Sequence, residues 1–168
     1  NYESQQYFAQ AQQFAGQGRQ REAQESQRFA EVKKAEAYSL FRESRDYYKR
    51  ATAEYPAYYT AWSNLGTAYY FTREYRGGIP YFKKAIELKA DYAEAYFNLG
   101  MSYEQLSMVD GEVKDSVLLD SAVYYFREGI IHDVHYVNSA EQLSRILKLH
   151  YNDSAGAMQL LNECAAKN

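Results

Sequence analysis

"AWSNLGTAYY", residues 61–70, and "AYFNLGMSYE", residues 95–104, are almost the same ten residues written twice. Trp62 and Tyr96, Leu65 and Leu99, Gly66 and Gly100, and Tyr69 and Tyr103 each stand 34 residues apart. Within a copy the spacing is i, i+3, i+4, i+7, which lines an aromatic, a leucine, a glycine and a tyrosine along one helical stripe. A glycine in mid-helix costs about 1 kcal/mol relative to alanine. It is tolerable where another backbone must approach the helix closely. One such stripe is an ordinary amphipathic helix; two at a fixed period predict a stacked array.

The residues after the first stripe agree. "REYRGG" (73–78) reads as a polar turn through Gly77 and Gly78, and "IPYFKKAIELK" (79–89) as a second helix burying Phe82, Ala85, Ile86 and Leu88. Two helices joined by a short turn form an antiparallel hairpin, which must stack on a neighbour to bury both of its faces.

At this point the chain resembles the tetratricopeptide repeat (TPR) family, whose pattern W-x2-L-G-x2-Y then A-x3-F has a 34-residue period. Trp62, Leu65, Gly66, Tyr69, Gly78 (where alanine is usual), Phe82 and Ala85 meet it. So do Tyr96, Leu99, Gly100, Tyr103, Ala122, Phe126 and Gly129. The second copy carries ten extra residues between its helices, in "LSMVDGEVKDSVLLD" (106–120), read here as added helical turns around a loop at Asp110-Gly111.

The resemblance implies an all-α fold, a right-handed α-α superhelix built as a solenoid of antiparallel helix hairpins, in one domain over 1–168. An N-terminal helix is expected in 1–18, a degenerate repeat in 19–57, repeats in 59–92 and 93–136 (insertion about 106–118), and a degenerate repeat or cap in 137–168. Ser44, Tyr48, Ala51 and Pro56 suit the second helix of the 19–57 repeat, with its first helix in 20–38. Because 19–54 contains no Gly or Pro, one long helix is the alternative there. Leu143, Ser144 and Leu147 fit a last first-helix, and Ala157, Leu161 and Cys164 its partner.

Composition excludes several classes. With 46% hydrophobic and 24% charged residues, the 168-residue chain is globular rather than disordered. A net charge of -3 gives no reason to expect nucleic acid. Arg19 to Arg50 runs basic, with nine Lys/Arg against six Asp/Glu, but its signs alternate as on a solvated helix face. No run reaches the ~18 apolar residues of a membrane span. The lone Cys164 excludes an internal disulfide framework. The chain opens at Asn1 rather than Met, so a trimmed fragment is expected, and a cytoplasmic or a periplasmic home fits equally.

Chemistry is sparse. "HDVH" (His132, Asp133, His135) places two histidines at i, i+3 but offers no third or fourth metal ligand; a role at a helix end is preferred. "DGEVKD" lacks the acidic alternation of a calcium loop. "GQGRQR" follows a helix instead of a strand, so it is no dinucleotide loop. Cys164 occupies a small-residue core position. The expectation is a non-enzymatic protein with no metal and no cofactor.

The resemblance implies that the first helix of each hairpin lines a concave groove. From the first repeat the groove residues are Thr60, Ser63, Asn64, Thr67, Tyr70 and Phe71. From the second they are Glu94, Phe97, Asn98, Met101, Glu104 and Gln105. Arg145 continues the surface, flanked by Asn138, Gln142 and Lys148. Asn64 and Asn98 stand at the same place in both copies. Each is either a donor and acceptor for an extended peptide backbone or a solvated surface residue. In relatives that grip a C-terminal carboxylate, an Asn here acts with Lys and Arg, and this chain offers Glu94 and Asn98 instead. Tyr70, Phe71, Phe97 and Met101 make the groove amphipathic, suited to a partner's apolar side chains, or else they pack against the insertion or a terminal helix. The expected function is a scaffold that binds a peptide or helix of a partner protein. The alternatives are self-association through solenoid ends and service as one domain of a larger assembly or enzyme.

Overall fold

The computed structural model describes residues 2–133 and 137–165. The chain divides into two compact units, Asn1–Ser44 and Arg45–Asn168. The first holds α1 (Tyr2–Gly16) and most of α2 (Gln20–Glu54). Gly18, at φ 73, takes the left-handed conformation that ends a helix, and Arg19 N–H reaches back to the Phe14 carbonyl at 2.9 Å. The two helices meet through small buried residues, Ser4, Ala11, Ala23 and Ala30. Ser4 Oγ donates to the Ala30 carbonyl at 3.0 Å, and Tyr7 stacks on Phe29.

The long α2 decides between the two readings of 19–57. The degenerate two-helix repeat gives way to one 35-residue helix. With no Gly or Pro to supply a turn, propagation of the helix costs less than breaking it.

In the second unit, α3 (Tyr59–Phe71), α4 (Tyr75–Leu88) and α5 (Ala93–Ser107) follow the end of α2. A hairpin of β1 (Met108–Val109) and β2 (Glu112–Val113) then leads to α6 (Ser116–His132), α7 (Val137–His150) and α8 (Ser154–Ala165). Each helix packs on the next, and α3 also touches α5. The core runs along the middle of this stack. Leu65, Phe82, Leu99, Phe126, Leu143 and Ile146 are its largest buried apolar side chains.

The glycines show why the pattern repeats. A Cβ on Gly66 would stand 2.7 Å from the Phe82 ring, and one on Gly100 would stand 2.8 Å from the Phe126 ring. Each first helix thus leaves a notch that the aromatic of its second helix fills. The same logic moves the start of α4. Gly77 and Gly78 lie inside that helix instead of in a turn, and the turn falls at Arg73, whose φ is 62. A Cβ on Gly78 would come within 2.9 Å of the Gly66 carbonyl, so this glycine permits close helix packing.

A second matched device fixes the entry to each first helix. Trp62 Nε1 donates to the Pro56 carbonyl at 2.8 Å, and Tyr96 OH donates to the Ala90 carbonyl at 3.1 Å, six residues upstream in both cases. These bonds pin the incoming turn at helices whose N-cap residues, Tyr58 and Tyr92, supply no side-chain cap.

The insertion differs from the added turns expected. α5 and α6 are longer than α3 and α4, at 15 and 17 residues against 13 and 14, but the centre is a β-hairpin. Asp110 and Gly111 both have positive φ, 52 and 81, as an Asp-Gly hairpin turn requires. Met108 pairs with Val113 and Val109 with Glu112, and Val113 packs on the core. Asp115 then caps α6 by accepting from Leu118 N–H at 3.0 Å.

Candidate protein-binding face

The groove residues expected from the sequence sit on α3, α5 and α7, and the structure sorts them by depth. Thr60, Asn64, Thr67 and Tyr70 are half-buried on α3, and Phe71 is 46% exposed. On α5, Glu94 is exposed while Phe97, Asn98, Met101 and Gln105 are half-buried. Two of the residues expected in the groove are closed off instead: Ser63 and Glu104 are buried. Both lie at the margin of the stripe, where contact with the next hairpin decides whether a side chain meets water.

Asn64 and Asn98 keep their equivalence. Among the described residues neither side-chain amide makes a hydrogen bond, although the backbone carbonyl of Asn98 accepts from Ser102 Oγ at 2.9 Å. Thr67 is spent locally, donating to the Ser63 carbonyl at 3.0 Å. Glu94 accepts from Tyr92 OH at 2.7 Å. Phe97 and Met101 pack against the apolar cluster of α6 and α7, with Phe97 5.8 Å from the Phe126 ring, so they belong partly to the core.

Glu104 is the feature that sequence reasoning missed. Its side chain is only 2% exposed, and one oxygen accepts from the Arg145 guanidinium of α7, a side chain 39% exposed. Gln142 Oε1 accepts from the Nε and the same terminal nitrogen of Arg145 at 3.0 and 2.8 Å. The second Glu104 oxygen is buried with no partner among the described residues. This pair ties α5 to α7 across 41 residues of sequence, and the sequence signal for it was only an Arg and a Glu at separate groove positions.

Tyr70 completes a polar line from α3. Its ring contacts Phe71 and Tyr75. Burial, then the neighbouring Tyr75 and Glu104, push its hydroxyl from 10.0 up to about 12. Because the folded protein holds this proton more tightly, the stability it supports is intact below pH 10 and lost as pH rises through 12. Urea midpoints are therefore expected to fall across that window, and Tyr70→Phe is expected to flatten part of the fall; an identical profile would detach Tyr70 from it.

His132 stacks on Tyr96 at 4.8 Å and lies 3.8 Å from a Glu128 oxygen, while His135 lies outside the described residues. Among the described residues no group of three or more His, Cys, Asp or Glu is placed to hold a metal. Among them too, no helix is long and apolar enough to cross a membrane. Cys164 is buried.

Comparison with known proteins agrees with this architecture. A family model for the tetratricopeptide repeat matches residues 59–92. A crystal structure of MamA protein is 16% identical, with a TM-score of 0.62 over 98% of this chain and 91% of that one. A second MamA crystal structure, also 16% identical, gives 0.59 over 98% of this chain and 77% of that one. MamA 41-end from Desulfovibrio magneticus RS-1 is 13% identical and gives 0.59 over 99% and 95%. No curated protein matches the chain. At these identities the solved structures establish the fold alone. Residues 59–92 are a tetratricopeptide repeat, and the chain that carries it is an all-helical repeat protein.

Proposed function

We propose that this protein-interaction module holds an extended or helical segment of a partner protein across α3, α5 and α7. The observation that carries the reading is the pair Asn64 and Asn98, half-buried one repeat apart, with side-chain amides that make no hydrogen bond among the described residues. An amide in mid-helix is mildly unfavourable. Two at the same register are explained by a ligand whose backbone N–H and C=O groups they meet. Tyr70, Phe71 and Met101 beside them supply apolar contact without demanding one sequence.

The test is a pull-down with identification by mass spectrometry, run with the native chain and with Asn64→Ala/Asn98→Ala/Tyr70→Ala. The native chain is expected to recover a partner that the triple variant loses at least tenfold, at unchanged far-ultraviolet circular dichroism. Equal recovery of that partner by the variant would place the interaction elsewhere.

A further inference from the structure

The second unit contains one structural slot three times, and the last copy is not filled. In the first repeat Tyr69 of α3 and Tyr81 of α4 lie with ring centroids 5.2 Å apart. In the second, Tyr103 of α5 and Tyr125 of α6 stack at 5.3 Å. The register is fixed by the core: each first-helix tyrosine follows the stripe leucine by four residues, and each second-helix tyrosine directly precedes the buried Phe82 or Phe126. Leu147 follows Leu143 by four residues, and Leu160 follows Ala157 by three as Tyr81 follows Gly78 and Tyr125 follows Ala122. The last hairpin therefore places Leu147 and Leu160 there, with an exposed Leu161 where the buried phenylalanine stands upstream. Two branched aliphatic side chains replace two rings, and between α6, α7 and α8 a pocket of about 360 Å³ opens, with Leu147 and Leu160 in its wall.

The electrostatics repeat as well. Arg45 lies over the Tyr69 ring at 3.8 Å, and Lys49, one turn along, acts on the same phenol. Lys83, 34 residues after Lys49, acts on the Tyr125 phenol. The corresponding residue for the last slot is Arg127, directly after Phe126 as Lys83 follows Phe82, and it lines the pocket. The carboxylates there are engaged: Asp153 accepts from Gly156 N–H at 2.8 Å, and Glu163 accepts from Gln159 at 2.8 Å. Among the described residues Arg127 is the one cation lining the pocket, and it also acts on the Tyr151 phenol.

We infer that this pocket receives an aromatic side chain, a tyrosine or its like, carried by a partner polypeptide. The filled slots of the same chain state the fit: a phenol ring packed beside a second ring, a lysine of the helix before the hairpin acting on its hydroxyl and, in the first slot, Arg45 over its face. A polypeptide carrier is favoured over a free aromatic molecule by the surroundings. Ile131 at the rim is 72% exposed, and a single ring in the pocket would leave it in water. The residues flanking that ring in a chain would cover it. This site uses none of the groove residues expected on α3, α5 and α7, so it and the groove stand or fall separately.

The test uses the full chain, methyl-labelled, titrated with p-cresol as the tyrosine side-chain analogue and with the capped peptide Ala-Leu-Tyr-Leu-Ala. Methyl resonances of Leu147, Leu160 and Ile131 are expected to move with p-cresol at about millimolar concentration, the range set by so few heavy atoms. The peptide is expected to bind at least fivefold tighter. Leu147→Tyr/Leu160→Tyr, which copies the filled slots, should abolish the shift of the remaining Ile131 methyls and raise the melting temperature. Ile131→Lys, on an exposed side chain, should weaken the peptide and leave p-cresol unchanged, and it serves if the double variant misfolds. No shift at these methyls, or equal shifts in the filled variant, would overturn the site. Equal affinity for p-cresol and peptide would overturn the polypeptide partner in favour of a small molecule. Concentration-dependent sedimentation that disappears in Ile131→Lys would overturn it in favour of a second copy of this chain.

Discussion

Replacing Phe126 with alanine is expected to lower the stability of the second unit by about 3–5 kcal/mol, the usual cost of emptying a buried aromatic site. The ring is completely buried, fills the Gly100 notch and packs with Leu119, Leu143 and Ile146. It therefore joins its own hairpin to the next one. The site cannot collapse onto Gly100, which has no side chain to move. Equilibrium urea unfolding monitored by circular dichroism measures the loss. Coupling provides the sharper check. Gly100→Ala should destabilise the native chain by roughly 1–3 kcal/mol through overpacking. In the Phe126→Ala background the same change should be neutral or favourable, because the clash is gone and about 1 kcal/mol of helix propensity is gained. Additive losses would mean that the notch and the ring are not partners.

The second large effect is expected at Arg145. Its removal as Arg145→Ala leaves the Glu104 carboxylate buried with neither oxygen paired to a cation. Breaking a fully buried ion pair costs about 3–5 kcal/mol. Because the Arg145 side chain is 39% exposed, water relieves part of this, and a loss of roughly 2–4 kcal/mol is expected. The pair as a whole is a different quantity. Glu104→Leu/Arg145→Leu should recover most of the loss, since apolar residues of similar volume often replace such pairs at no cost. Urea unfolding of both variants decides it. If Arg145→Ala is as stable as the native chain, Glu104 has found water, and the tie between α5 and α7 is not structural.

Much of the fold was legible because its information is local and periodic. Trp62, Leu65, Gly66 and Tyr69 mark one face of a helix whatever surrounds them, and their recurrence 34 residues later marks the stack. The asparagines of the candidate face were found in the same way, by register. Depth within the face was not legible. Ser63 lies one residue from Asn64, yet it is buried and Asn64 is half-buried, since a helical stripe is wider than the contact that covers it. The hairpin at 108–113 was missed because two-residue stretches such as Met108-Val109 and Glu112-Val113 around Asp110-Gly111 suit frayed helix ends as well as strands. Backbone pairing of Met108 with Val113 decided between them.

The sequence alone determined the all-α class, the repeat period, and the shared register of Asn64 and Asn98. Each of these depends on residues within a few turns of one another, or on exact recurrence. Only the tertiary structure decided that α2 runs unbroken, that Glu104 is sealed against Arg145, and that Leu147 and Leu160 leave open a slot that tyrosines fill twice upstream. The physical reason is common to all three. Burial, ion pairing and empty volume are set by how closely separate helices approach, and that distance is a property of the packed unit rather than of any single helix.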